Sequence, residues 1–308
     1  MDFLKTWRGR RVLVTGGSGF IGQHVIGFAR EAGIEIHNAT LGGGAIVGAH
    51  THQVDLRERE RVFALLSETQ PCAIIHLAAS GASRARREFS MMLQANAIGT
   101  ENLLAAASAL AIRPIIVMAG SGLEYTPQNR PYRETDPAAP LSAYGAAKAA
   151  AALCAHFYSS RLPITLLRLF DVYGPGDSPP RLLPYIVARS KRGEMVELTG
   201  CEQVRDYTYV QDIAESFWRG LALPPASRPH ILNVGTGLPI RLRTLIETMA
   251  AVLRKKGLTP ELAFGRLPYR TDEPMLYAAN IERMQKAFGW TPTIGLAEGL
   301  KRTIDAML

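Results

Sequence analysis

The chain has 308 residues, 47% of them hydrophobic, with 35 Lys and Arg against 27 Asp and Glu and a formal net charge of +8. That length and apolar share support a full core in one large domain, or in one domain with a smaller partner, and exclude a disordered chain. The positive balance suits an anionic ligand, but the densest basic cluster alternates Arg57, Arg59 and Arg61 with Glu58 and Glu60, a charge-compensated helix start that argues against nucleic acid as a partner.

Near the start, the apolar run Val12-Leu13-Val14 leads into Thr15-Gly16-Gly17-Ser18-Gly19-Phe20-Ile21-Gly22, and apolar residues from Phe20 to Ala29 recur at helical spacing. The pattern is strand, glycine turn, helix. Such a turn aims free backbone N–H groups and the positive end of a helix dipole at an anion, which makes a pyrophosphate the expected guest. The plainer alternative is that Gly16, Gly19 and Gly22 only permit a tight turn and close helix packing. Further β-rich runs follow at Ile34–Ala39, Ala73–Leu77, Ile115–Met118 and Ile164–Leu169, alternating with helix-patterned stretches. That alternation predicts a parallel sheet with helices on both faces and ligands at the carboxyl ends of its strands.

Between the last two runs, Tyr144-Gly145-Ala146-Ala147-Lys148 places a phenol and an ammonium four residues apart, on one helix face. A phenol with an ordinary pKa of about 10 is a poor proton-transfer group at neutral pH unless a cation favours its phenolate, and Lys148 is placed to be that cation. The Ala-rich helix from Ala143 to about His156 carries small residues on several faces and permits close helix contact. After Gly174 the pattern changes, with clusters at Pro175-Gly176, Pro179-Pro180 and Pro224-Pro225, and shorter elements. We therefore expect a dinucleotide-binding domain over 1–170 and a mainly substrate-binding region over 171–308, some of whose segments return to the sheet. Cys72, Cys154 and Cys201 lie far apart without metal spacing and read as reduced core thiols, so no metal is expected. No apolar run approaches the ~18 residues of a membrane span, and residues 1–5 lack a secretory layout. A cytoplasmic protein with no membrane partner is the expectation.

These segments resemble the extended short-chain dehydrogenase/reductases that act on nucleotide-activated sugars. The resemblance covers nearly the whole chain. It includes Asp55-Leu56-Arg57, His76-Leu77-Ala78-Ala79, Asn96 to Leu103, Leu167 to Pro175 with Asp171, Val204 to Val210 with Arg205, Asn233 to Gly237, and the closing Phe288-Gly289-Trp290-Thr291-Pro292. It implies a Rossmann-type doubly wound parallel sheet with a smaller C-terminal region, and a homodimer. It also implies a dinucleotide held by Gly16, Gly19, Phe20, Ile21 and Gly22, with Asp55 and Leu56 beside adenine. Leu77, Ala78 and Ala79 would lie along the ribose and phosphate, and Asn96 near the nicotinamide. Tyr144 would move the hydroxyl proton and Lys148 would hold the nicotinamide ribose. Ser121, 23 residues before the tyrosine, would orient the sugar oxygen. Ser121, Gly122, Asp171, Arg181, Arg205 and Arg270 would face the nucleotide-diphosphate sugar, with Arg205 and Arg270 paired to its phosphates. His76 reads as packing at a strand end.

Departures from the family narrow the reaction. Sugar dehydratases carry an Asp-Glu pair after the catalytic Thr, where this chain has Gly122 and Leu123, so dehydration is disfavoured. Thr40 stands at the end of the second strand where NAD-using relatives place a carboxylate for the ribose 2′-hydroxyl, which favours NADP(H) and leaves NAD(H) second. Gly120-Ser121-Gly122-Leu123-Glu124-Tyr125 looks most like the segment of nucleotide-diphospho-4-keto-6-deoxyhexose reductases. The resemblance therefore implies an NADPH-dependent 4-ketoreductase of deoxysugar biosynthesis, with an NAD-dependent nucleotide-sugar 4-epimerase as the alternative and a non-catalytic dinucleotide-binding protein behind both. Asp171 stands where the family usually has Asn, and its carboxylate is expected to change how the sugar is held.

Overall fold

The computed structural model describes residues 2–81, 88–226, 229–270 and 273–308. The first half alternates strands and helices: β1 (Arg11–Thr15), α1 (Phe20–Ala29), β2 (Glu35–Thr40), β3 (His50–Gln53), α2 (Arg59–Thr69), β4 (Ala73–His76), α3 (Phe89–Leu93), a π turn at Gln94–Ile98, α4 (Gly99–Ala109), β5 (Ile115–Ser121), α5 (Ala143–Tyr158) and β6 (Ile164–Leu169). The second half has shorter pieces: β7 (Asp171–Tyr173), α6 (Leu182–Lys191), β8 (Val196–Glu197), β9 (Val204–Arg205), β10 (Tyr207–Tyr209), α7 (Val210–Gly220), β11 (His230–Val234), β12 (Ile240–Arg241), α8 (Leu242–Lys255), β13 (Leu262–Ala263), β14 (Leu276–Tyr277), α9 (Glu282–Phe288) and α10 (Leu296–Asp305).

Seven strands pair in parallel in the order β11-β6-β5-β4-β1-β2-β3. The central strands are apolar on both sides: every residue of β4 and β6 is buried, as expected where helices cover both faces. On one face α1 and α7 pack Val25 and Ile26 against Phe217 and Trp218, and the Trp218 indole donates to the Val25 carbonyl at 2.9 Å. On the other, α2, α4 and α5 supply Leu65, Leu66, Leu103, Leu104, Ala151 and Ala155. A third core, built on α6, α8 and α10, supports the short strands of the second half.

Strand β11 crosses back from that second half to pair with β6, from His230 beside Thr165 to Val234 beside Leu169. Asp206 anchors the crossing from the other side, since its carboxylate accepts from the N–H groups of Thr236, Gly237 and Ala279. Strand order reverses between β1 and β4, and a crevice opens at their carboxyl ends, the usual ligand position in a sheet of this topology. Among the described residues, no helix is long and apolar enough to cross a membrane.

Candidate active site

The glycine turn sits in that crevice. Gly16 takes φ +73°, and a Cβ on it would meet the Ala78 nitrogen at 2.7 Å, so the turn can lie against the end of β4 only without a side chain. Gly17 donates its N–H to Asn38 Oδ1 at 3.0 Å. The Ser18 and Thr40 hydroxyls meet at 2.6 Å. Gly19 is the extended N-cap of α1 and supplies no side-chain cap. The N–H groups of Phe20, Ile21 and Gly22, in the first helical turn, therefore have no intrahelical acceptor. A backbone cradle with open donors and a helix dipole behind it fits the pyrophosphate of a nicotinamide dinucleotide.

Strand β5 ends at Ser121 and α5 begins at Ala143, one residue before Tyr144 and five before Lys148, with Ser142 capping it by accepting from the Gly145 N–H at 3.1 Å. Ser121, Gly122, Tyr144 and Lys148 line one cleft of about 820 Å³ together with Gly16, Gly19, Phe20, Ile21, Gly22, Leu77 and Ala79. Asp171, Arg181, Arg205 and Arg270 line the same cleft from the second half of the chain. Five of the expected cofactor residues are absent from this wall. Thr40 is buried behind Ser18, and Ala78 donates its N–H to Thr15 Oγ1. Asp55 is held by Arg57, whose guanidinium keeps its carboxyl below the ordinary range, while the Leu56 carbonyl accepts from Asn102. Asn96, in the π turn, clamps the Ser80 backbone by both its N–H and its carbonyl.

The charges around Tyr144 differ from the simple pairing that the i, i+4 spacing suggests. The Lys148 ammonium donates to the Ala119 carbonyl at 2.5 Å, and burial brings its pKa down to about 8 against the opposing pull of Glu124. Burial, and secondarily the charge of Glu124, raise the Tyr144 pKa to about 12, with Arg181 opposing. Tyr144 is thus held as a neutral phenol, ready to donate. Ser121 Oγ accepts from the Leu123 N–H at 3.1 Å and is also hydrogen-bonded to the Tyr277 hydroxyl.

Beneath this site, His76 bridges Thr15 Oγ1 at 2.6 Å and Thr100 Oγ1 at 2.8 Å, and Thr100 in turn donates to the Asn96 carbonyl. Thr100 therefore accepts from Nε2–H and Nδ1 accepts from Thr15, which fixes a neutral tautomer. Burial, then the charge of Lys148, pushes the His76 pKa from 6.5 down to about 3. Between those values the unfolded chain binds a proton that the folded chain refuses, so stability falls as pH drops from about 6.5 toward 3. The unfolding temperature is expected to decline over that window, and less steeply in His76→Gln; equal slopes would place the acid lability elsewhere.

Arg205, expected to pair with a substrate phosphate, is held between two carboxylates: Nη1 lies 3.5 Å from Asp171 and Nη2 is ion-paired to Glu273. Its guanidinium also lies 5.4 Å from the Tyr277 ring centroid. Arg181 donates to the Val172 carbonyl at 2.8 Å, pairs with Asp177 at 3.3 Å and stacks 5.4 Å from the centre of Phe20, joining the substrate side of the cleft to the first residue of α1. Gly122 is required by crowding, since a Cβ there would meet the Tyr277 hydroxyl at 2.8 Å and the Phe170 ring at 2.9 Å. Glu273 and Tyr277 escaped the sequence reading. The signal available was their position, three and seven residues after Arg270.

A glycine turn at a topological switch point, facing a Ser, a Tyr and a Lys in one cleft, defines a dinucleotide-dependent enzyme site. The chain belongs to the NAD dependent epimerase/dehydratase family, whose profile matches residues 12–235. It is 27% identical to a probable UDP-glucuronate 4-epimerase of Rhizobium meliloti (strain 1021), over 96% of each chain. It is 29% identical to a dTDP-glucose 4,6-dehydratase of Xanthomonas campestris pv. campestris (strain B100), covering 98% of this chain and 93% of that one. Among solved structures, MoeE5 in complex with UDP-glucuronic acid and NAD superposes with a TM-score of 0.85 at 28% identity, over 96% of this chain and 98% of that chain.

Proposed function

We propose that this protein is an NAD-dependent nucleotide-sugar 4-epimerase. The observation that carries the reading is the single cleft in which Ser121, Tyr144 and Lys148 face the glycine turn, combined with Gly122 and Leu123 where a dehydratase needs two carboxylates. The epimerase named among the relatives, and the NAD bound to MoeE5, support it over the reductase that the sequence first suggests. When bound, the nicotinamide supplies the group that takes and returns hydride at the sugar carbon. Ser121 hydrogen-bonds the reacting sugar oxygen, Tyr144 as phenolate takes the hydroxyl proton when hydride leaves the sugar carbon and as phenol gives it back when hydride returns, and Lys148 binds the nicotinamide ribose. Arg181, Arg205 and Arg270 bind the diphosphate.

The second reading is an NADPH-dependent reductase of a nucleotide-diphospho-4-keto-6-deoxyhexose. Thr40 in place of a ribose-binding carboxylate and the Glu124-Tyr125 pair after Ser121 favour it. Protein as purified is analysed for bound NAD and assayed with UDP-glucose, and protein stripped of cofactor is titrated with NADH and NADPH and assayed with a 4-keto-6-deoxysugar nucleotide. Retained NAD and interconversion of 4-epimers without net cofactor consumption is the expected result. Stoichiometric oxidation of NADPH would overturn it in favour of the reductase. Leu153, Phe157 and Ile98, exposed at 71%, 64% and 51% on the adjoining α5 and π turn, support a homodimer built on α5.

On this reading Asp171 competes with substrate phosphate for Arg205. Asp171→Asn leaves Glu273 on the guanidinium and frees Nη1, so affinity for the sugar nucleotide is expected to rise by about 5–10-fold, the scale of one net hydrogen bond, with NAD affinity unchanged. Calorimetric titration with each ligand checks it; a larger change for NAD than for the sugar nucleotide would refute it.

A further inference from the structure

Directly behind Ser121, on the side away from the cleft, lies a buried ion pair that neither the glycine turn nor the Ser-Tyr-Lys constellation accounts for. Glu124 is fully buried, and its Oε2 accepts from Arg168 Nε at 2.8 Å. Its other oxygen, Oε1, accepts the Ser121 N–H at 2.7 Å. The Ser121 hydroxyl oxygen accepts from Leu123 in the same single turn, so one carboxylate and one backbone N–H fix both the main chain and the side chain of the serine. The pair also lies against the strand that carries the serine: a Cβ on Gly120 would meet Glu124 Oε1 at 2.8 Å and Arg168 Cγ at 3.1 Å.

Arg168 is itself anchored. Its guanidinium lies 4.3 Å from the Tyr125 ring centroid, and the Tyr125 hydroxyl donates to Asn233 Oδ1 at 2.6 Å. Asn233 donates through its side chain to the Tyr132 carbonyl and through its N–H to Glu134. The carboxylate beneath Ser121 is thus held by β6 and, through a continuous polar chain, by β11. A buried ion pair of this kind contributes little to stability beyond what apolar residues of similar volume would supply, so its retention next to a reacting hydroxyl calls for another reason.

We infer that Glu124, clamped by Arg168, is a positioning residue for the proton-transfer chemistry: it orients Ser121 to donate and fixes a negative charge that governs proton movement at Tyr144. The inference rests on the proposed function only for the identity of the reacting oxygen. Charged and titratable groups act on Tyr144 from several elements: Glu124 from the turn after β5, Arg181 from the start of α6 and Tyr277 from β14, with Lys148 four residues further along α5. Glu124 opposes loss of the Tyr144 proton, and Arg181 favours it. Glu124 also favours the ammonium form of Lys148. A fixed carboxylate in this place therefore holds the proton on Tyr144 and sets the pH at which its phenolate, the form that takes the sugar hydroxyl's proton, becomes available.

The test uses the NAD-loaded enzyme and does not depend on turnover alone. Tyrosinate absorbance is titrated in wild type and in Glu124→Gln, each with the signal of its Tyr144→Phe derivative subtracted, to isolate Tyr144. Gln keeps an oxygen for the Ser121 N–H while removing the charge. The Tyr144 midpoint is expected to fall by at least about one pH unit, a tenfold loss of proton affinity. In the 4-epimerase assay the low-pH limb of kcat, which reports the phenolate that takes the sugar hydroxyl's proton, is expected to move down with it, and KM to stay within about twofold. Glu124→Gln leaves Arg168 buried and unpaired, so the double variant Glu124→Gln/Arg168→Met is measured beside it and is expected to lower the midpoint as well. An unchanged midpoint in whichever of the two variants retains the native circular dichroism spectrum would overturn the inference, as would a loss confined to KM. A shifted midpoint in a protein with no epimerase activity would uphold the role of Glu124 and reject the proposed function instead.

Discussion

Tyr144→Phe is expected to lower turnover by at least about 10²–10³-fold, the range that a positioned proton donor contributes, with dinucleotide affinity unchanged within about twofold. The argument is geometric. Tyr144 opens α5 in the same cleft as Ser121 at the carboxyl end of the sheet, and on the proposed reading its phenol, whose proton is held by burial and by Glu124, is the group that takes and returns the sugar hydroxyl's proton. Removing one oxygen leaves the ring in place. The glycine turn, Phe20 and the first turn of α1 are untouched, so the cradle for the pyrophosphate persists. Binding titration and steady-state assay on the same preparation separate the two effects. Undiminished turnover would remove Tyr144 from the chemistry, and a parallel loss of dinucleotide binding would make it a ligand of the cofactor instead.

Legibility differed sharply between parts of the chain, and the reasons are physical. The strands from Val12, Ala73, Ile115 and Ile164 are buried on both faces and read as apolar runs. The glycine turn reads clearly because its function demands missing side chains. Strand β3 did not read as a strand: His50-Thr51-His52-Gln53 is polar throughout, lies at the sheet edge and is half-exposed. What stabilises it beyond the ladder is a contact that no periodicity reveals, the stacking of His37 on His52 at 5.2 Å between ring centres, with their ring nitrogens 2.9 Å apart. The segment Asn233 to Gly237 reads as a motif, but nothing local marks His230–Val234 as the seventh strand, because its partner residues in β6 lie 65 positions earlier. In the site, residue types were legible and partnerships were not. The sequence points Arg205 at a substrate diphosphate, and nothing local in it shows that Asp171 and Glu273, from two other segments, converge on the guanidinium. Glu124 was read as a mark of resemblance, since its role depends on Arg168 reaching it from the neighbouring strand.

The second large effect concerns the cradle, and Gly22→Ala is its sharpest probe. A Cβ at position 22 would lie 2.5 Å from the Gly17 Cα and 2.8 Å from the Gly17 carbonyl carbon, with the Gly16 oxygen closer still. All three are backbone atoms of the turn itself, so no side chain can swing aside and the loop must lift off α1. Gly16 cannot give way toward β4, because it already lies against Ala78. The N–H groups of the first helical turn would then no longer converge on one point, and dinucleotide affinity is expected to fall by roughly 10–100-fold, about 1.4–2.8 kcal/mol. Gly27→Ala is the control on the same helix: an added Cβ there meets nothing within 4 Å, so the change is expected to leave affinity unaltered and to raise stability by up to about 1 kcal/mol through helix propensity. Fluorescence titration with NADH and thermal unfolding of both variants decide the matter. Equal affinities for the two alanine variants would mean that the turn is not where the pyrophosphate binds, whereas a loss confined to Gly22→Ala separates crowding of the cradle from any general effect of alanine in α1.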